Sequence, residues 1–231
     1  MSFIAVIFAR GGSKGLKNKN LLKINNISLL GHSIIQAKKI KIFKKIIVST
    51  DNKKIAKEAL RYGAEVPFLR PKKLSNSGSP EILAWRHAIK FINENLGLYP
   101  EYLVSLPTTS PLRSIKDVKK AMEKAKKKKL DIVFSITESS KNPYFNMVKI
   151  HKGKLQIICN KKNKFVQNRQ SAPQCYDLTT VCYVFKPKYV MNNTNLFSGK
   201  ISYVKVNKVS AIDIDDRVDF DIAKKILEDK N

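Results

Sequence analysis

Residues 4–20 read Ile4-Ala5-Val6-Ile7-Phe8-Ala9-Arg10-Gly11-Gly12-Ser13-Lys14-Gly15-Leu16-Lys17-Asn18-Lys19-Asn20, and this stretch decides the fold. It begins with a continuous apolar run rich in β-branched residues, which is typical of a strand buried on both faces. The run breaks abruptly into a polar segment with three glycines, a serine and three lysines. In open α/β sheets, ligands bind just past the carboxyl ends of the strands, so we expect this loop to lie at the binding site.

The composition of the loop suits a polyphosphate. Glycines let the backbone approach a phosphate closely, amides and a serine hydroxyl donate hydrogen bonds, and lysines neutralise negative charge. The spacing is neither that of a Walker loop nor the dinucleotide-binding G-x-G-x-x-G, since the glycines stand at 11, 12 and 15. A glycine-rich turn with its lysines in solvent is the alternative that the loop alone leaves open.

The chain has 231 residues, a hydrophobic content of 43% and a formal charge of +27. Its length predicts one α/β domain over 1–231, and its charge raises nucleic acid or an anionic membrane as a partner. The lysines are scattered over predicted helices and loops, however, with no aromatic-interleaved basic stripe. We therefore expect neither nucleic acid nor membrane as the principal partner.

Arginine is scarce, since only seven of the 45 basic residues are arginines. A chain that uses lysine for simple charge is expected to keep arginine where a planar, bidentate donor is needed. The arginines in predicted loops are therefore our candidate ligand contacts: Arg10, Arg70, Arg113 and Arg169. Those on predicted helices are expected to be structural: Arg61, Arg86 and Arg217.

Three cysteines without C-x-x-C spacing favour a reducing compartment, and no apolar stretch approaches the length of a membrane span. The expected location is the cytoplasm. The three histidines fall on predicted helices and a turn, so nucleophilic hydrolysis has no support.

Hydrophobic periodicity predicts alternating strands and helices from the first strand to about residue 136, hence a mostly parallel sheet with helices on both faces. The predicted strands that follow the first are 45–50, 64–69, 102–106 and 131–136; the predicted helices are 31–40, 52–62, 80–96 and 114–128. The pattern changes over 138–178, where a hairpin of 144–150 and 155–159 is expected to form an inserted flap or a dimerisation arm. Strands at 179–185 and 201–206 and a last helix to about 229 complete the chain.

Five of the ten aspartates lie between 213 and 221. Asp213 and Asp215 alternate around Ile214, so both would point to one side of an extended segment and could hold Mg²⁺ together with substrate phosphates. Asp216, Asp219 and Asp221 are better explained as acids at a helix start. The local pattern leaves open whether Asp213 and Asp215 also only cap that helix.

Taken in order, these motifs resemble the acylneuraminate cytidylyltransferase family, the CMP-sialic acid synthetases. The resemblance rests on the loop at 10–15 with Lys19-Asn20, Ser49-Thr50-Asp51, Leu69-Arg70-Pro71, Pro107-Thr108-Thr109-Ser110-Pro111-Leu112-Arg113, Arg169-Gln170 and Ile212-Asp213-Ile214-Asp215. It spans almost the whole chain. It implies a Rossmann-like nucleotidyltransferase fold and the Mg²⁺-dependent transfer of CMP from CTP to a nonulosonic acid, with release of pyrophosphate.

The resemblance also implies roles for individual residues in a homodimer. Catalytic roles are expected for Arg10, Lys14, Lys19 and Asp215, and metal binding for Asp213 and Asp215. CTP contacts are expected from Arg10, Gly11, Gly12, Ser13, Lys14, Lys19, Asn20, Arg70, Pro107 and Thr108. Sugar contacts are expected from Thr109, Ser110, Arg113, Arg169, Gln170, Tyr176, Asp177, Thr179 and Tyr183.

One departure concerns the substrate. Tyr176-Asp177-Leu178-Thr179-Thr180 stands where sialic acid enzymes of the family often carry an arginine-containing stretch. A carboxylate at Asp177 would suit another nonulosonic acid, such as legionaminic or pseudaminic acid, or an amino-substituted octulosonate. A CMP-Kdo-type octulosonate enzyme is the nearest alternative, and a basic nucleic-acid-binding domain is a remote one.

Overall fold

The computed structural model describes residues 2–13, 15–76, 78–160 and 166–229. The strands are β1 (Phe3–Phe8), β2 (Lys23–Ile24), β3 (Ile27–Ser28), β4 (Phe43–Ser49), β5 (Tyr102–Ser105), β6 (Ile132–Glu138), β7 (Val148–His151), β8 (Lys154–Ile157), β9 (Tyr176–Phe185) and β10 (Ile201–Lys205). The helices are α1 (Leu29–Lys38), α2 (Lys53–Arg61), α3 (Glu81–Glu94), α4 (Ile115–Lys128), α5 (Pro187–Asn192) and α6 (Arg217–Glu228). Short 3-10 helices cover Lys19–Leu21 and Lys72–Leu74.

Six strands form the central sheet in the order β10-β6-β9-β5-β1-β4. β1 pairs in parallel with β4 and β5, and β10 pairs in parallel with β6, whereas β9 runs antiparallel to both of its neighbours, β5 and β6. The prediction of a mostly parallel sheet is confirmed. Its parallel strands place their carboxyl ends along one edge, where the loops after β1 and β5 lie next to each other.

Apolar side chains alternate along β1 between two cores, one on each face of the sheet. Ala5 and Ile7 pack with α1, α2 and α4, while Ile4 and Val6 pack with α3 and α5. All four side chains are buried, which explains why the strand is continuously apolar. The prediction that helices cover both faces is also confirmed.

A third, smaller core fixes the acidic segment near the carboxyl end of the chain. Ile214 is fully buried against Leu112 and against Phe220 of α6. Its amide donates a hydrogen bond of 2.9 Å to the Thr109 carbonyl oxygen in the loop after β5. Asp213 and Asp215 therefore stand beside that loop because the residue between them is anchored in the core.

Several predicted elements differ from the observed ones. Residues 64–69 do not form a strand, because only Glu65 and Leu69 make isolated bridges, to Ile47 and Thr50. The hairpin strands β7 and β8 are shorter than predicted, and α5 was not predicted.

Three turns follow from residues that tolerate a positive φ. Gly63 after α2 has φ of +75°, and Asn25-Asn26 connects β2 to β3 with φ of 51° and 61°. Lys152-Gly153 connects β7 to β8 in the same manner, with φ of 50° and 73°. No helix among the described residues combines the length and the apolar character needed to cross a membrane.

The buried guanidinium of Arg113 donates hydrogen bonds to several parts of the interior. Its Nε donates to the Val181 carbonyl at 2.8 Å, its Nη1 donates to Ser33 Oγ at 3.1 Å and to Gln36 Oε1 at 3.0 Å, and its Nη2 donates to the Pro107 carbonyl. Burial lowers the pKa of Arg113 to about 10. The residue thus joins the loop after β5 to α1 and β9.

Asp131 ties the start of β6 to its neighbours. Its carboxylate accepts a hydrogen bond of 2.8 Å from the Lys200 amide and one of 3.0 Å from Lys186 Nζ. Partial burial acts to raise the pKa of Asp131, but these bonds and the two lysine charges outweigh it and hold the pKa below its usual value.

We expect Arg113→Lys to lower the free energy of unfolding by about 2–4 kcal/mol, because an ammonium cannot replace the planar fork and leaves buried acceptors unpaired. Urea denaturation of the variant measures this. Arg61→Lys is the matched control, since the Arg61 side chain is 57% exposed and should lose less than about 0.5 kcal/mol. Equal stability of the two variants would contradict the structural role of Arg113.

We expect Asp131→Asn to lower the free energy of unfolding by about 1–2 kcal/mol at pH 7. A lowered pKa in the folded state stabilises the fold above the unfolded value near 3.8, and this stabilisation is lost as pH falls through the folded pKa. The difference between wild type and variant should therefore shrink below about pH 4 in a series of urea denaturations. A pH-independent difference, or one matched by the surface variant Asp221→Asn, would refute the assignment.

Candidate functional site

Two adjoining cavities lie at the carboxyl ends of the sheet strands. The larger measures about 410 Å³ and is lined by Phe8, Arg10, Ser13, Gly15, Lys19, Asn20, Thr108, Thr109 and Asp215. The smaller measures about 270 Å³ and is lined by Phe8, Arg10, Arg70, Leu74, Asn76, Ser79, Glu81 and Ala84. Because Phe8 and Arg10 line both cavities, the two adjoin at these residues, and together we call them the cleft. We call the larger the cationic cavity and the smaller the lateral cavity.

The glycine loop packs tightly against the acidic segment. A Cβ atom at Gly15 would lie 2.2 Å from the backbone oxygen of Asp215, so no other residue fits there without moving the backbone. At the other end of the loop, the Gly11 amide donates a hydrogen bond of 2.9 Å to Asp51 Oδ1. The backbone of the loop is therefore held at two points.

Asn20 connects the glycine loop to the loop after β5. Its Nδ2 donates to the Arg10 carbonyl at 2.8 Å, and its Oδ1 accepts a hydrogen bond of 2.5 Å from Thr108 Oγ1. The residue lines the cavity as predicted, but it is 5% exposed and its amide is engaged with protein. Its side chain connects the two loops, and its contact with the triphosphate stays a prediction.

Lys19 brings the two most distant parts of the site together. Its Nζ donates to the Ile214 carbonyl at 2.6 Å and to Asp215 Oδ1 at 3.1 Å. The side chain of Lys19 is only 13% exposed, whereas that of Asp215 is 77% exposed. A cation and a carboxylate thus share the wall of the cationic cavity, and the Arg10 guanidinium on the same wall makes no hydrogen bond to any described residue.

Asp213 lies deeper than Asp215. Its Oδ1 atom is buried and has no hydrogen-bond partner among the described residues. Burial is the main cause of the raised pKa of Asp213; the nearby Thr109 and Thr180 hydroxyls and Lys19 oppose it, while repulsion from Asp215 adds to it. An unsatisfied carboxylate oxygen beside a second carboxylate is a fitting place for a hard divalent cation.

Within the described residues, no group of three or more His, Cys, Asp or Glu side chains gathers around one point. The two aspartates would therefore hold Mg²⁺ only with oxygens from elsewhere, such as substrate phosphates. Asp216 and Asp219 form the reciprocal capping box of a helix start, as predicted, whereas Asp221 lies beyond the first turn of α6 and pairs with Arg217.

The lateral cavity contains residues that the sequence did not reveal as candidates, among them Asn76, Ser79 and Glu81. Arg70, which was predicted, is 5% exposed, and its Nε donates to Ser75 Oγ at 2.9 Å. Burial lowers the pKa of Arg70, while the charge of Asp51 opposes this. Glu81 follows a helix-initiating proline, so in the sequence it resembles an ordinary acid of a first helical turn.

Several residues that were predicted to contact the sugar are buried, and their polar groups bond to other parts of the protein. Ser110 Oγ lies 2.6 Å from Thr180 Oγ1, Thr179 Oγ1 donates to Ser135 Oγ at 2.8 Å, and Arg113 is bonded as described above. These three side chains are at most 5% exposed. Their positions do not support ligand contact, because interior partners already take their polar groups.

The other predicted residues occupy different places. Tyr183 packs against Trp85 and Phe134, and Tyr176 Oη accepts a hydrogen bond of 2.7 Å from Lys205 Nζ. Asp177 is exposed on β9, opposite Thr137. The Pro107 carbonyl is taken by Arg113, and a Cβ added at Gly12 would meet open space. Lys14 lies outside the described residues.

Arg169 and Gln170 belong to a third cavity, of about 440 Å³, which they line together with Glu138, Ser139, Asn142, Ala172, Pro173, Gln174, Cys175 and Lys208. Arg169 Nη2 donates to the Ser140 carbonyl at 3.0 Å. This cavity shares no lining residue with the cleft. Within one copy of the chain, the structure therefore does not bring these two residues to the cationic cavity.

Known proteins carry similar sequences over the full length. The chain is 38% identical to CMP-N,N'-diacetyllegionaminic acid synthase of Campylobacter jejuni and 37% identical to post-translational flagellin modification protein B of Campylobacter coli, over 99% of this chain and 96% of each relative. It is 32% identical to N-acylneuraminate cytidylyltransferase of Escherichia coli, over 99% of this chain and 52% of that protein.

Solved structures share the fold. CMP:2-keto-3-deoxy-manno-octonic acid synthetase, in complex with CTP, superposes with a TM-score of 0.75 over 100% of both chains at 13% identity. A 4-diphosphocytidyl-2C-methyl-D-erythritol synthase superposes with a TM-score of 0.70 over 98% of both chains. The predicted nucleotidyltransferase fold is thereby confirmed. The family profile described as "Cytidylyltransferase" matches residues 4–214, and the chain belongs to the cytidylyltransferase family.

Proposed function

We propose that this chain transfers CMP from CTP to the anomeric hydroxyl of a nonulosonic acid and releases pyrophosphate. The observation that carries the proposal is the cationic cavity, where Lys19 and Arg10 stand beside Asp215 at the glycine loop, with the buried Asp213 two residues before it. Positive groups and a pair of carboxylates that could hold Mg²⁺ match the needs of phosphoryl transfer. The names of the full-length relatives supply the acceptor class.

In the proposed reaction, the anomeric oxygen attacks the α-phosphorus, the new O–P bond forms, and the bond to the β-phosphate oxygen breaks. The leaving pyrophosphate takes the electron pair of the broken bond, and the anomeric proton passes to a base. The Arg10 guanidinium, the Ser13 hydroxyl and the loop amides would orient the triphosphate. Lys19 would fix the acidic segment against the loop and reduce the negative charge of the cavity.

Asp213 and Asp215 are the proposed ligands of Mg²⁺. When bound, the ion would neutralise phosphate charge and stabilise the departing pyrophosphate. The unsatisfied Oδ1 atom of Asp213 and the accessibility of Asp215 support this assignment. A carboxylate of this pair could also accept the anomeric proton.

We propose N,N'-diacetyllegionaminic acid as the acceptor. Relatives bearing that name in Campylobacter jejuni and Legionella pneumophila match 99% of the chain, at 38% and 29% identity. The two pseudaminic acid cytidylyltransferases of Campylobacter jejuni match only 60% of it. The octulosonate alternative has weaker support, since the similarity to the corresponding synthetase concerns the fold.

We also propose that the chain works as a homodimer through the arm at 138–178. One face of the hairpin of β7 and β8 is an exposed apolar ribbon, in which Val148, Ile150 and Leu155 are 55%, 77% and 71% exposed. Such a ribbon is a common interaction surface. The separate cavity at Arg169 and Gln170 would gain a role in sugar binding if dimerisation brought it to the cleft of the second copy. The proposed compartment is the cytoplasm, supported by three free cysteines.

The direct test of the proposed function is pyrophosphate release from CTP and Mg²⁺ with a panel of nonulosonic and octulosonic acids. We expect turnover with N,N'-diacetyllegionaminic acid, at least tenfold faster at low substrate than with N-acetylneuraminic acid or Kdo. Mass spectrometry should detect the corresponding CMP-sugar. A folded enzyme that is silent across the panel would contradict the proposal.

The metal assignment is tested by comparing two variants, each of which replaces one of two neighbouring aspartates with asparagine. Asp215→Asn should reduce turnover at least about 100-fold, because it removes a charged ligand at an accessible position, while the melting temperature stays nearly unchanged. Asp216→Asn is the control, since asparagine caps a helix as well as aspartate does and turnover should be retained. Full activity of Asp215→Asn would show that the acidic segment only shapes the last helix.

The dimer is tested by placing a charge on the ribbon. Ile150→Glu should convert the wild-type dimer to a monomer in analytical ultracentrifugation, because burying an unpaired carboxylate in an apolar interface is strongly unfavourable. Tyr99→Glu is the control at a different exposed site, since Tyr99 is 77% exposed. A wild type that sediments as a monomer at micromolar concentration would overturn the proposal.

A further inference from the structure

The lateral cavity lies where the base of the nucleotide is expected. If the proposed function holds, the triphosphate lies in the cationic cavity, where Arg10, Ser13 and Lys19 converge. The base of the same nucleotide must then lie within one ribose length of the phosphates. The lateral cavity satisfies this requirement, because it meets the cationic cavity at Phe8 and Arg10, and its 270 Å³ is sufficient for a pyrimidine ring.

The orientation of Glu81 in this cavity is fixed by its neighbour on the next turn of α3. Trp85 Nε1 donates a hydrogen bond of 3.1 Å to Glu81 Oε1. The indole is 3% exposed and stacks on Phe185 with ring centroids 4.5 Å apart and an interplanar angle of 6°. Because Trp85 cannot turn in this stack, it holds the carboxyl group on the cavity wall.

The second oxygen of Glu81 is available to a ligand. Within the described part of the chain, Oε2 accepts no hydrogen bond, and the side chain lies at the open surface of the cavity. Arg70 lines the same cavity, and among the described residues its side chain donates only from Nε, to Ser75, so that its terminal nitrogens can donate to a ligand. The cavity thus offers an acceptor and a donor next to each other.

This pair of groups matches the edge of cytosine. Cytosine presents an amino group at C4, which is a donor, beside acceptors at N3 and O2; a carboxylate is a recognised partner of that amino group. Uracil presents a carbonyl oxygen at C4, which would face the carboxylate without a hydrogen bond. A cavity with a fixed acceptor at this point therefore favours cytosine over uracil.

We propose that Glu81 is a specificity-determining residue that accepts a hydrogen bond from the cytosine amino group and so selects CTP over UTP, and that Trp85 positions it. Glu81 does not touch the reacting atoms in this proposal. The inference rests on the proposed function for the placement of the triphosphate, and it adds the base-reading side chain.

The test compares kcat/KM for CTP and for UTP in wild type and in Glu81→Gln, with the same sugar acceptor. Glutamine has the shape of glutamate, and its amide can donate to O4 of uracil or accept from the cytosine amino group. We expect the CTP-to-UTP ratio to fall at least about tenfold, while the KM of the sugar stays within about twofold. Glu94→Gln, at the exposed far end of α3, is the matched control and should keep the wild-type ratio.

Trp85→Phe provides a second variant that keeps an aromatic ring in the stack but removes the indole donor. We expect a smaller fall of the ratio than in Glu81→Gln, again with an unchanged sugar KM. If Glu81→Gln does not fold, Glu81→Asp replaces it, because the shortened carboxylate should withdraw from the base and lower the ratio.

An unchanged CTP-to-UTP ratio in the folded Glu81 variant overturns the proposal, and a raised sugar KM in the same variant would assign Glu81 to the sugar. Thermal stabilisation by CTP and by UTP, measured with Mg²⁺ and no sugar, gives a readout that does not need turnover. A wild type that is stabilised by CTP but releases no pyrophosphate would count against the proposed function, while the ratio of the two stabilisations in Glu81→Gln would still decide the role of Glu81.

Discussion

The hydrogen bond from Lys19 to the carbonyl of Ile214 is the contact on which the site depends. It joins residues that are 195 positions apart in the chain, and it brings the glycine loop and the acidic segment onto one wall. Gly15 allows this approach, because any Cβ atom there would collide with the backbone oxygen of Asp215. Without these two contacts, the loop after β1 would still follow a buried strand, but the carboxylates would have no fixed position beside it.

The polar side chains around the cleft form two layers with different roles. An inner layer of buried polar side chains, including Asn20, Arg113 and Thr179, bonds loops and strands to each other. An outer layer, including Arg10, Asp215 and Glu81, lines the open space. The buried polar side chains form their hydrogen bonds within the protein. They thereby hold the lining groups in fixed positions around the space for a highly charged ligand.

The sequence predicted the features that depend on local pattern. The apolar run of β1 and the acids that start α6 each follow from the residues present at that point, and the structure contains both. The prediction of a strand at 64–69 was wrong: β4 lies beside this segment, but only Glu65 and Leu69 bridge to it or to the residue after it. Pro67, between them, has no amide hydrogen to donate to a continuous ladder.

Side chains with several possible partners were harder to interpret. The scarcity of arginine indicated that the planar N–H donors of Arg113 are used. The sequence could not show whether their partners are backbone carbonyls, as observed, or a ligand carboxylate. Ser110 and Thr179 lie in or near motifs that resemble sugar contacts, yet their hydroxyls face Thr180 and Ser135 across the interior. Glu81 was missed for the opposite reason, since its place at a helix start offers a sufficient local explanation. Only the tertiary arrangement shows that this turn opens into a cavity.

The late position of Ile214 in the chain has a consequence for how the protein is made. Synthesis proceeds from the amino terminus, and β1, β4 and β5 can pair in parallel as soon as residue 105 has left the ribosome. The wall that contains Asp213 and Asp215 cannot form until a hundred further residues have been translated and Ile214 has reached Leu112. While these residues are translated, the nascent chain therefore holds a partly formed sheet with an incomplete cleft, and a ligand of the cleft stabilises the chain only after Ile214 is in place.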